Sequence, residues 1–268
     1  MNGRVTVSFD LDGVIMQNPF LRGVTPHILQ HLRCGQALRG LPPEEADRLA
    51  SSAIREAWMR HAAQGNLVAC YNWDAIYREV SEHFGVEPPV DVATLVAHYC
   101  GVADTIWLLP GARSGLERLR VGGLAAVAIT NGYHPYQWPV LEALGVAHLF
   151  DAIYTPDIVG YAKPDPLIFE SVPGLRAHVG DNLIHDIVGA NLAGKRSVWL
   201  RHDLPEAISR VPWHERAGSP ACVEYVSERL AASQYLPFHP EATPETAAPN
   251  VVVSNVDEAV SVLLEWYG

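Results

Sequence analysis

Hydrophobic spacing divides the chain into three textures. In RVTVSFD, Val5, Val7 and Phe9 alternate with Thr6 and Ser8, and the run ends in carboxylates and Gly13, which predicts a strand feeding a turn. From about residue 17 to 105 the period becomes helical. Pro42-Pro43 suit a helix start ahead of Ala46, Ala50, Ala53 and Ala57, flanked by Leu49, Ile54 and Trp58. Trp73, Ile76, Tyr77, Val80 and Phe84 keep one helical face, and Val92, Leu95, Val96 and Tyr99 repeat it behind Asp91, a suitable N-cap. After Pro110-Gly111 short apolar runs return: LAAVAIT, AIYT, RAHVG and RSVWL, with helical stretches around 116–120, 140–144, 167–171 and 184–193. Strands alternating with helices predict right-handed crossovers and a parallel sheet.

The first strand is thus separated from its sheet partners by an all-helical block. The economical fold class is α/β: a Rossmann-like parallel-sheet core over 1–16 and 106–268, with an inserted all-helical domain over 17–105. Near the end, Asn255 is placed to cap a helix with Glu258 reaching back, and Val256, Ala259, Val260, Leu263, Leu264 and Tyr267 form its apolar face. Seven of the twenty prolines lie between His202 and Asn250, which leaves room for one good helix, around 221–234. That segment, 202–249, is expected to be an addition to the core. Trp213, Tyr225, Tyr235, Leu236 and Phe238 would bury against the core or against a second subunit of a homo-oligomer.

Composition narrows the function classes. Hydrophobic residues make up 49% and charged residues 18%, which excludes a disordered or collagen-like chain. Lys plus Arg total 19 against 30 Asp plus Glu, a formal charge of −11 that repels nucleic acid. No apolar run approaches membrane-spanning length, and the start turns polar too soon for a signal peptide. Cys34, Cys70, Cys100 and Cys222 show no C-x-x-C spacing, so neither a zinc knuckle nor a disulfide scaffold is expected, and a reducing cytoplasm fits. Lysine is scarce, with only Lys163 and Lys195.

Ligands of parallel α/β sheets bind at the carboxyl ends of the strands. There stand Asp10-Leu11-Asp12-Gly13, Thr130-Asn131-Gly132, Asp181 with Asp186 five residues on, and Lys163-Pro164-Asp165-Pro166 in the loop after AIYT. Clustered carboxylates repel unless a cation is present, and hard oxygen ligands suit Mg²⁺, which also recruits phosphate oxygens. A carboxylate near such a metal can attack phosphorus. Lys163 would neutralise the phosphoryl charge, while Thr130 and the following backbone N–H groups, those of Asn131 and Gly132, would hydrogen-bond its oxygens.

Four segments, FDLDGV at 9–14, AITNG at 128–132, YAKPDPLIF at 161–169 and HVGDNLIHD at 178–186, resemble the motifs of the haloacid dehalogenase superfamily of phosphohydrolases. They stand in that family's order, and the likeness runs through 4–16 and 107–201. It is closest to the branch whose helical cap is inserted after the first motif. The resemblance implies Asp10 as nucleophile and Asp12 as the acid that protonates the leaving group and then activates water. It implies Thr130 and Lys163 as phosphate binders. Asp10, the backbone carbonyl of Asp12 and Asp181 would be magnesium ligands, supported by Asp186. Two departures stand out: Val14 replaces the commoner Thr, and two prolines, Pro135 and Pro139, fall where a helix usually begins. His27 and His31, at i and i+4, find no third ligand and read as surface positions. Trp58, Trp73 and Tyr77 read as packing within the helical block, and the 64–73 stretch, QGNLVACYNW, as the loop that could meet substrate. The expected function is Mg²⁺-dependent hydrolysis of a small phosphorylated metabolite. A phosphosugar mutase on the same core and a non-catalytic phosphate-binding protein are the alternatives. The retained Asp12 argues against carbon–halogen cleavage, and a block without lysine argues against Schiff-base chemistry.

Overall fold

The computed structural model describes residues 4–268. Six strands form one wholly parallel sheet: β1 (Thr6–Phe9), β4 (Ala125–Ile129), β5 (Ala152–Tyr154), β6 (Leu175–Gly180), β7 (Arg196–Leu200) and β8 (Val251–Val253). Their order is β5-β4-β1-β6-β7-β8. From β1 the chain builds outward to β4 and β5, then returns to β6 and builds the other way. The order therefore reverses beside β1, and the crevice at its carboxyl end is where a ligand belongs. The fold is α/β and Rossmann-like.

Because both faces are covered, the strands bury residues of either parity. One face carries Val7, Phe9, Ala126, Ala128, Ala177 and Val179 against α5 (Ala112–Val121), α6 (His134–Ala143) and α13 (Val256–Tyr267). The other carries Val127 and Ile129 against Ile168 and Phe169 of α8 (Pro166–Glu170) and Ala190 of α9 (Gly189–Leu192). The short α7 (Pro156–Val159) precedes α8. At the centre of that second face Ser8 and His178, fully buried, are register partners on β1 and β6, with Ser8 Oγ 2.8 Å from His178 Nδ1.

The helical block hangs from a two-stranded antiparallel ribbon, β2 (Met16–Gln17) with β3 (Trp107–Leu108). Between these strands lie α1 (Thr25–Leu32), α2 (Pro43–Ala63), α3 (Trp73–Phe84) and α4 (Val92–Cys100). Their boundaries follow local chemistry. α2 starts behind Pro42 with Glu44 and Glu45 in its first turn, favourable to the helix dipole. Asn72 caps α3 by accepting from Ala75 N–H at 3.1 Å, and Gly85 ends it in the left-handed conformation. Asp91 caps α4 through Thr94 N–H at 2.8 Å. His27 and His31 have ordinary partners in the block, the Tyr99 hydroxyl at 3.2 Å and the Glu87 carbonyl at 2.7 Å. α4 packs on α6, so the block rests on the core beside the sheet's carboxyl edge.

α6 runs from His134 to Ala143 despite its prolines: Pro135 sits in the first turn, where no N–H is needed, and Pro139 lies inside. Asn255 caps α13 by accepting from Glu258 N–H at 2.9 Å. The Glu258 carboxylate does not return to Asn255, however. It accepts from Ser254 N–H at 2.8 Å and from Arg216, which turns a simple cap into a clamp on a distant segment.

That segment, 202–249, forms α10 (Glu206–Ser209), α11 (Trp213–Arg216) and α12 (Pro220–Ala231). Ile208, Cys222, Val226 and Leu230 pack on Ile184, Ile187, Trp199 and Val252 and complete the second face of the sheet. Its far end behaves differently: Tyr235 and Phe238 reach Trp58 of α2, with ring centroids 5.5 and 5.8 Å away. Trp58 therefore serves as the meeting point of the block and this late segment, beyond the packing within the block that its helical spacing suggests. No helix among the described residues is long and apolar enough to cross a membrane.

Candidate active site

The acids follow directly from β1. Asp10 N–H still bonds the Val179 carbonyl at 2.8 Å, and the chain then wraps around the Leu11 carbonyl, which accepts from Ile15 and Met16 N–H at 2.9 Å each. The wrap requires Gly13 at φ +80°, and a Cβ there would lie 2.7 Å from Asp181 Oδ2. Gly13 thus serves both the turn and the close approach of two strand ends.

Lys163 arrives from the loop after β5. Asn131 holds its backbone from both sides, accepting from Lys163 N–H at 2.7 Å and donating to Lys163 C=O at 3.0 Å. The buried ammonium lies 2.8 Å from Asp10 Oδ1 and 2.5 Å from Asp186 Oδ1. Behind it, His178 Nε2 is 3.1 Å from the same Asp186 oxygen, and the other Asp186 oxygen accepts from Asn182 N–H at 2.9 Å. Ser8, His178, Asp186, Lys163 and Asp10 form a continuous polar line from the sheet interior to the pocket. Asn182 also caps the π-helical turn Leu183–Val188, and the Trp199 indole N–H fixes the Asp181 carbonyl at 2.8 Å.

Electrostatics separate the acids. Burial pushes Asp10 well above the usual carboxylate range, with Lys163 opposing and Asp186 and Asp181 adding to the rise. Burial, then repulsion from Asp186, pushes Asp181 to about 7. Asp186 is held below the usual range: burial opposes this, and Lys163 and His178 outweigh burial. Asp12 stands apart, its Oδ2 accepting from Gln137 Nε2 at 2.9 Å while Oδ1 has no hydrogen-bond partner, and burial lifts it to about 6. Burial drops His185 to about 3, so its imidazole is neutral at pH 7.

Asp10, Asp181 and Asp186 each offer an oxygen within 4.8 Å of the others. Three carboxylates face one ammonium, an excess of negative charge that a divalent cation with oxygen preference would neutralise. The acid cluster and its raised Asp10 and Asp181 fit such an ion.

Every residue singled out at the strand ends, Asp10, Asp12, Thr130, Asn131, Gly132, Lys163, Asp181 and Asp186, lines one pocket of about 290 Å³. Their arrangement refines what each can do. The Asn131 side chain is occupied with Lys163, which leaves its backbone for a ligand. Thr130 Oγ1 accepts from Gly132 N–H at 3.3 Å, and Asp12 lies outside the group of carboxylates that could share an ion through side chains. The 64–73 stretch supplies Tyr71 and, at its end, Trp73 to the pocket wall. Asn18, Phe20, Tyr136, Gln137, Asn182 and His185 also line it and carry no spacing signal in the sequence; Tyr136 and Gln137 sit on α6, whose prolines obscure its start.

The family model for haloacid dehalogenase-like hydrolases matches residues 5–194. The chain is 33% identical over 178 residues to a phosphoserine phosphatase of Thermus thermophilus, covering 60% of this chain and 71% of that protein. It is 33% identical over 132 residues to a glyceraldehyde 3-phosphate phosphatase of Methanothermobacter thermautotrophicus, covering 46% of this chain and 58% of that protein. A solved HAD phosphatase from Thermococcus onnurineus shares the fold with a TM-score of 0.62 at 24% identity, over 75% of this chain and 88% of that one.

Proposed function

The chain belongs to the haloacid dehalogenase-like hydrolases, and from this premise we propose that it hydrolyses a small phosphate monoester with Mg²⁺ through an aspartyl-phosphate on Asp10. The observation that carries the reading is the division of labour between two acids two residues apart. Asp10 lies against Lys163 and the other carboxylates, whereas Asp12 sits apart with one carboxylate oxygen on Gln137 and the other without a partner. One acid is placed to attack and the other to shuttle a proton.

In the first step an Asp10 carboxylate oxygen bonds to phosphorus as the phosphorus–oxygen bond to the leaving group breaks, and Asp12 gives its proton to the departing oxygen. In the second, Asp12 as carboxylate takes a proton from water whose oxygen bonds to phosphorus. The bond from phosphorus to Asp10 breaks, releasing inorganic phosphate and restoring both acids. Lys163, held by Asp186, and the Thr130 hydroxyl with the backbone N–H groups around Asn131 and Gly132 bind the phosphoryl oxygens. Asp10, the Asp12 carbonyl and Asp181 would hold Mg²⁺, with Asp186 in support; the ion supplies charge neutralisation at the phosphoryl group when bound.

The test is phosphate release from a panel of phosphorylated metabolites by the full chain. Turnover is expected with Mg²⁺ and lost on chelation, and Asp10→Asn, nearly isosteric but not nucleophilic, should lose at least about a thousandfold in kcat with an unchanged circular dichroism spectrum. Wild-type turnover by Asp10→Asn, or undiminished turnover after exhaustive chelation, overturns the reading.

A further inference from the structure

The acid pocket borders a larger chamber of about 850 Å³, and Phe20, Tyr71 and Trp73 line both. The chamber has a different character. Trp58 of α2 meets Tyr235 at 5.5 Å and Phe238 at 5.8 Å between ring centroids on one side, and Phe20 meets Trp73 at 6.1 Å on another. Its walls come from the helical block and from the end of the 202–249 segment, with no strand-end residue among them. Tyr235 also lies 4.3 Å from His185, ring to ring, so the late segment borders the acid pocket as well.

We propose that this chamber seats the leaving group, and that the substrate is a phosphate monoester of an alcohol bearing a planar apolar ring system. The inference rests on the phosphatase reading above and names the class of ester. Three observations carry it. The chamber adjoins the acid pocket, with three aromatic side chains lining both, so it is the apolar space nearest to a phosphoryl group at Asp10. Its size is in the range that encloses most of a ring-bearing molecule of a few hundred daltons. Its aromatic walls suit the offset and edge-to-face contacts of a flat apolar ring.

Charge points the same way. Among the described residues, the Lys and Arg side chains lining the two cavities are Lys163, already paired with Asp10 and Asp186, and Arg55, which is exposed on α2. Arg201 and Arg229 line an adjoining cavity, Arg201 paired with Asp203 and Arg229 exposed, so a carboxylate on a small polar leaving group would find no buried cation without a partner. Burying it unpaired is costly, whereas an apolar ring gains from leaving water.

Two esters of primary alcohols, 2-(2-naphthyl)ethyl phosphate and ethyl phosphate, differ in the ring and little in leaving-group chemistry. The full chain with Mg²⁺ should favour the ring-bearing ester by about thirtyfold or more in kcat/KM, and Trp58→Ala should cut that ratio by about tenfold. Phe238→Ala serves as the second variant, and circular dichroism checks both folds. Independently of turnover, 2-(2-naphthyl)ethanol should bind the wild-type chain by calorimetry, and weaken by about fivefold or more in the variants. Equal kcat/KM for the two esters, or a ratio unchanged in both folded variants, overturns the inference and leaves the phosphatase reading standing. Hydrolysis of neither ester nor of any metabolite in the panel overturns that reading, and failure of the alcohol to bind then removes the chamber as a ring site too.

Discussion

Two glycines set the tolerance of the site at the scale of single residues. Gly13 needs its positive φ and has Asp181 Oδ2 2.7 Å from where a Cβ would stand; at Gly180 a Cβ would fall 2.2 Å from Asp186 Cβ. Gly13→Ala adds a left-handed penalty of about 1–2 kcal/mol to that clash. It should lower kcat/KM by at least about a hundredfold, because misplacing Asp181 by a fraction of an ångström spoils alignment; phosphate release by the folded variant measures it. The acids also make a prediction about pH. Asp181 and Asp12, ordinarily near 3.8, stand at about 7 and about 6 in the fold, chiefly through burial. Since the folded values lie above the unfolded ones, their contribution to stability is complete below about pH 4 and is lost as pH rises through about 6 to 7. Asp186, with its lowered value, has the opposite sign and acts only at more acidic pH; His185 and His178, lowered by burial, oppose the acids below about pH 6.5 but are outnumbered by Asp10, Asp12 and Asp181, all raised. Metal-free protein should therefore melt at a higher temperature at pH 5 than at pH 8, and Mg²⁺ should raise the Tm more at pH 8. Thermal melts in chelator and in Mg²⁺ at both pH values decide this, and a metal-free Tm that rises from pH 5 to pH 8 would contradict it.

At the scale of elements, what was legible in the sequence depended on how local the cause was. Strands β1, β4, β6 and β7 announce themselves because short apolar runs end in polar turn residues, and the acids beyond β1 and β6 were visible for the same reason. Ser8 and His178 were not, because a polar residue alternating with apolar ones looks like the wet face of a strand; here helices cover that face and the two residues bond each other. Trp58 shows a helical period, yet nothing nearby in sequence reveals partners some 180 residues later. The 202–249 segment looked irregular, and its anchoring depends on one residue whose role only the tertiary fold exposes. Arg216, 3% exposed, donates to the carbonyls of Ser209, Val211 and Val252 and to the Glu258 carboxylate at 2.9 Å. Arg216→Ala takes the guanidinium donor from three carbonyls and leaves the half-buried Glu258 carboxylate with Ser254 alone. It should cost about 3 kcal/mol of stability by denaturant titration while leaving kcat/KM of the folded protein within about threefold, since no bond from Arg216 reaches the acid pocket. A normal stability for this variant would show that α12 and its neighbours hold to the sheet by apolar packing alone.

For the whole molecule, the question is how the helical block stays over the acids and still admits a substrate. The ribbon of β2 and β3 is only two residues long, too small to fix the block's attitude by itself. Orientation must come from contacts across the cleft; besides the Tyr71 hydroxyl, 3.4 Å from His185 Nε2, two polar ones stand at the start of α6. The Tyr136 hydroxyl donates to Asp74 Oδ2 at 2.8 Å, and the Tyr133 hydroxyl donates to the Val68 carbonyl at 3.0 Å. Asp74 Oδ1 meanwhile accepts from Val92 N–H at 2.7 Å, so one carboxylate joins α3, the start of α4 and the core. Burial and the neighbouring Asp74 keep the Tyr136 phenol neutral far into the alkaline range, so this buckle does not open with pH under ordinary conditions. Tyr136→Phe retains the ring and its packing on Phe20 and Tyr133 while deleting the bond. If the bond holds the block closed, its loss shifts the balance toward open forms. Amide exchange at residues 66–76 and 92–95 should then quicken by about fivefold to tenfold, a loss of one hydrogen bond of ordinary strength. KM should rise by a similar factor, because the binding-competent arrangement is less populated, while kcat changes less. Exchange monitored by mass spectrometry and steady-state kinetics on the same preparation test the two halves together. Faster exchange with unchanged KM would mean that the block loosens without governing access, whereas a fall in kcat at constant KM would place Tyr136 among the groups that act on the bound ester.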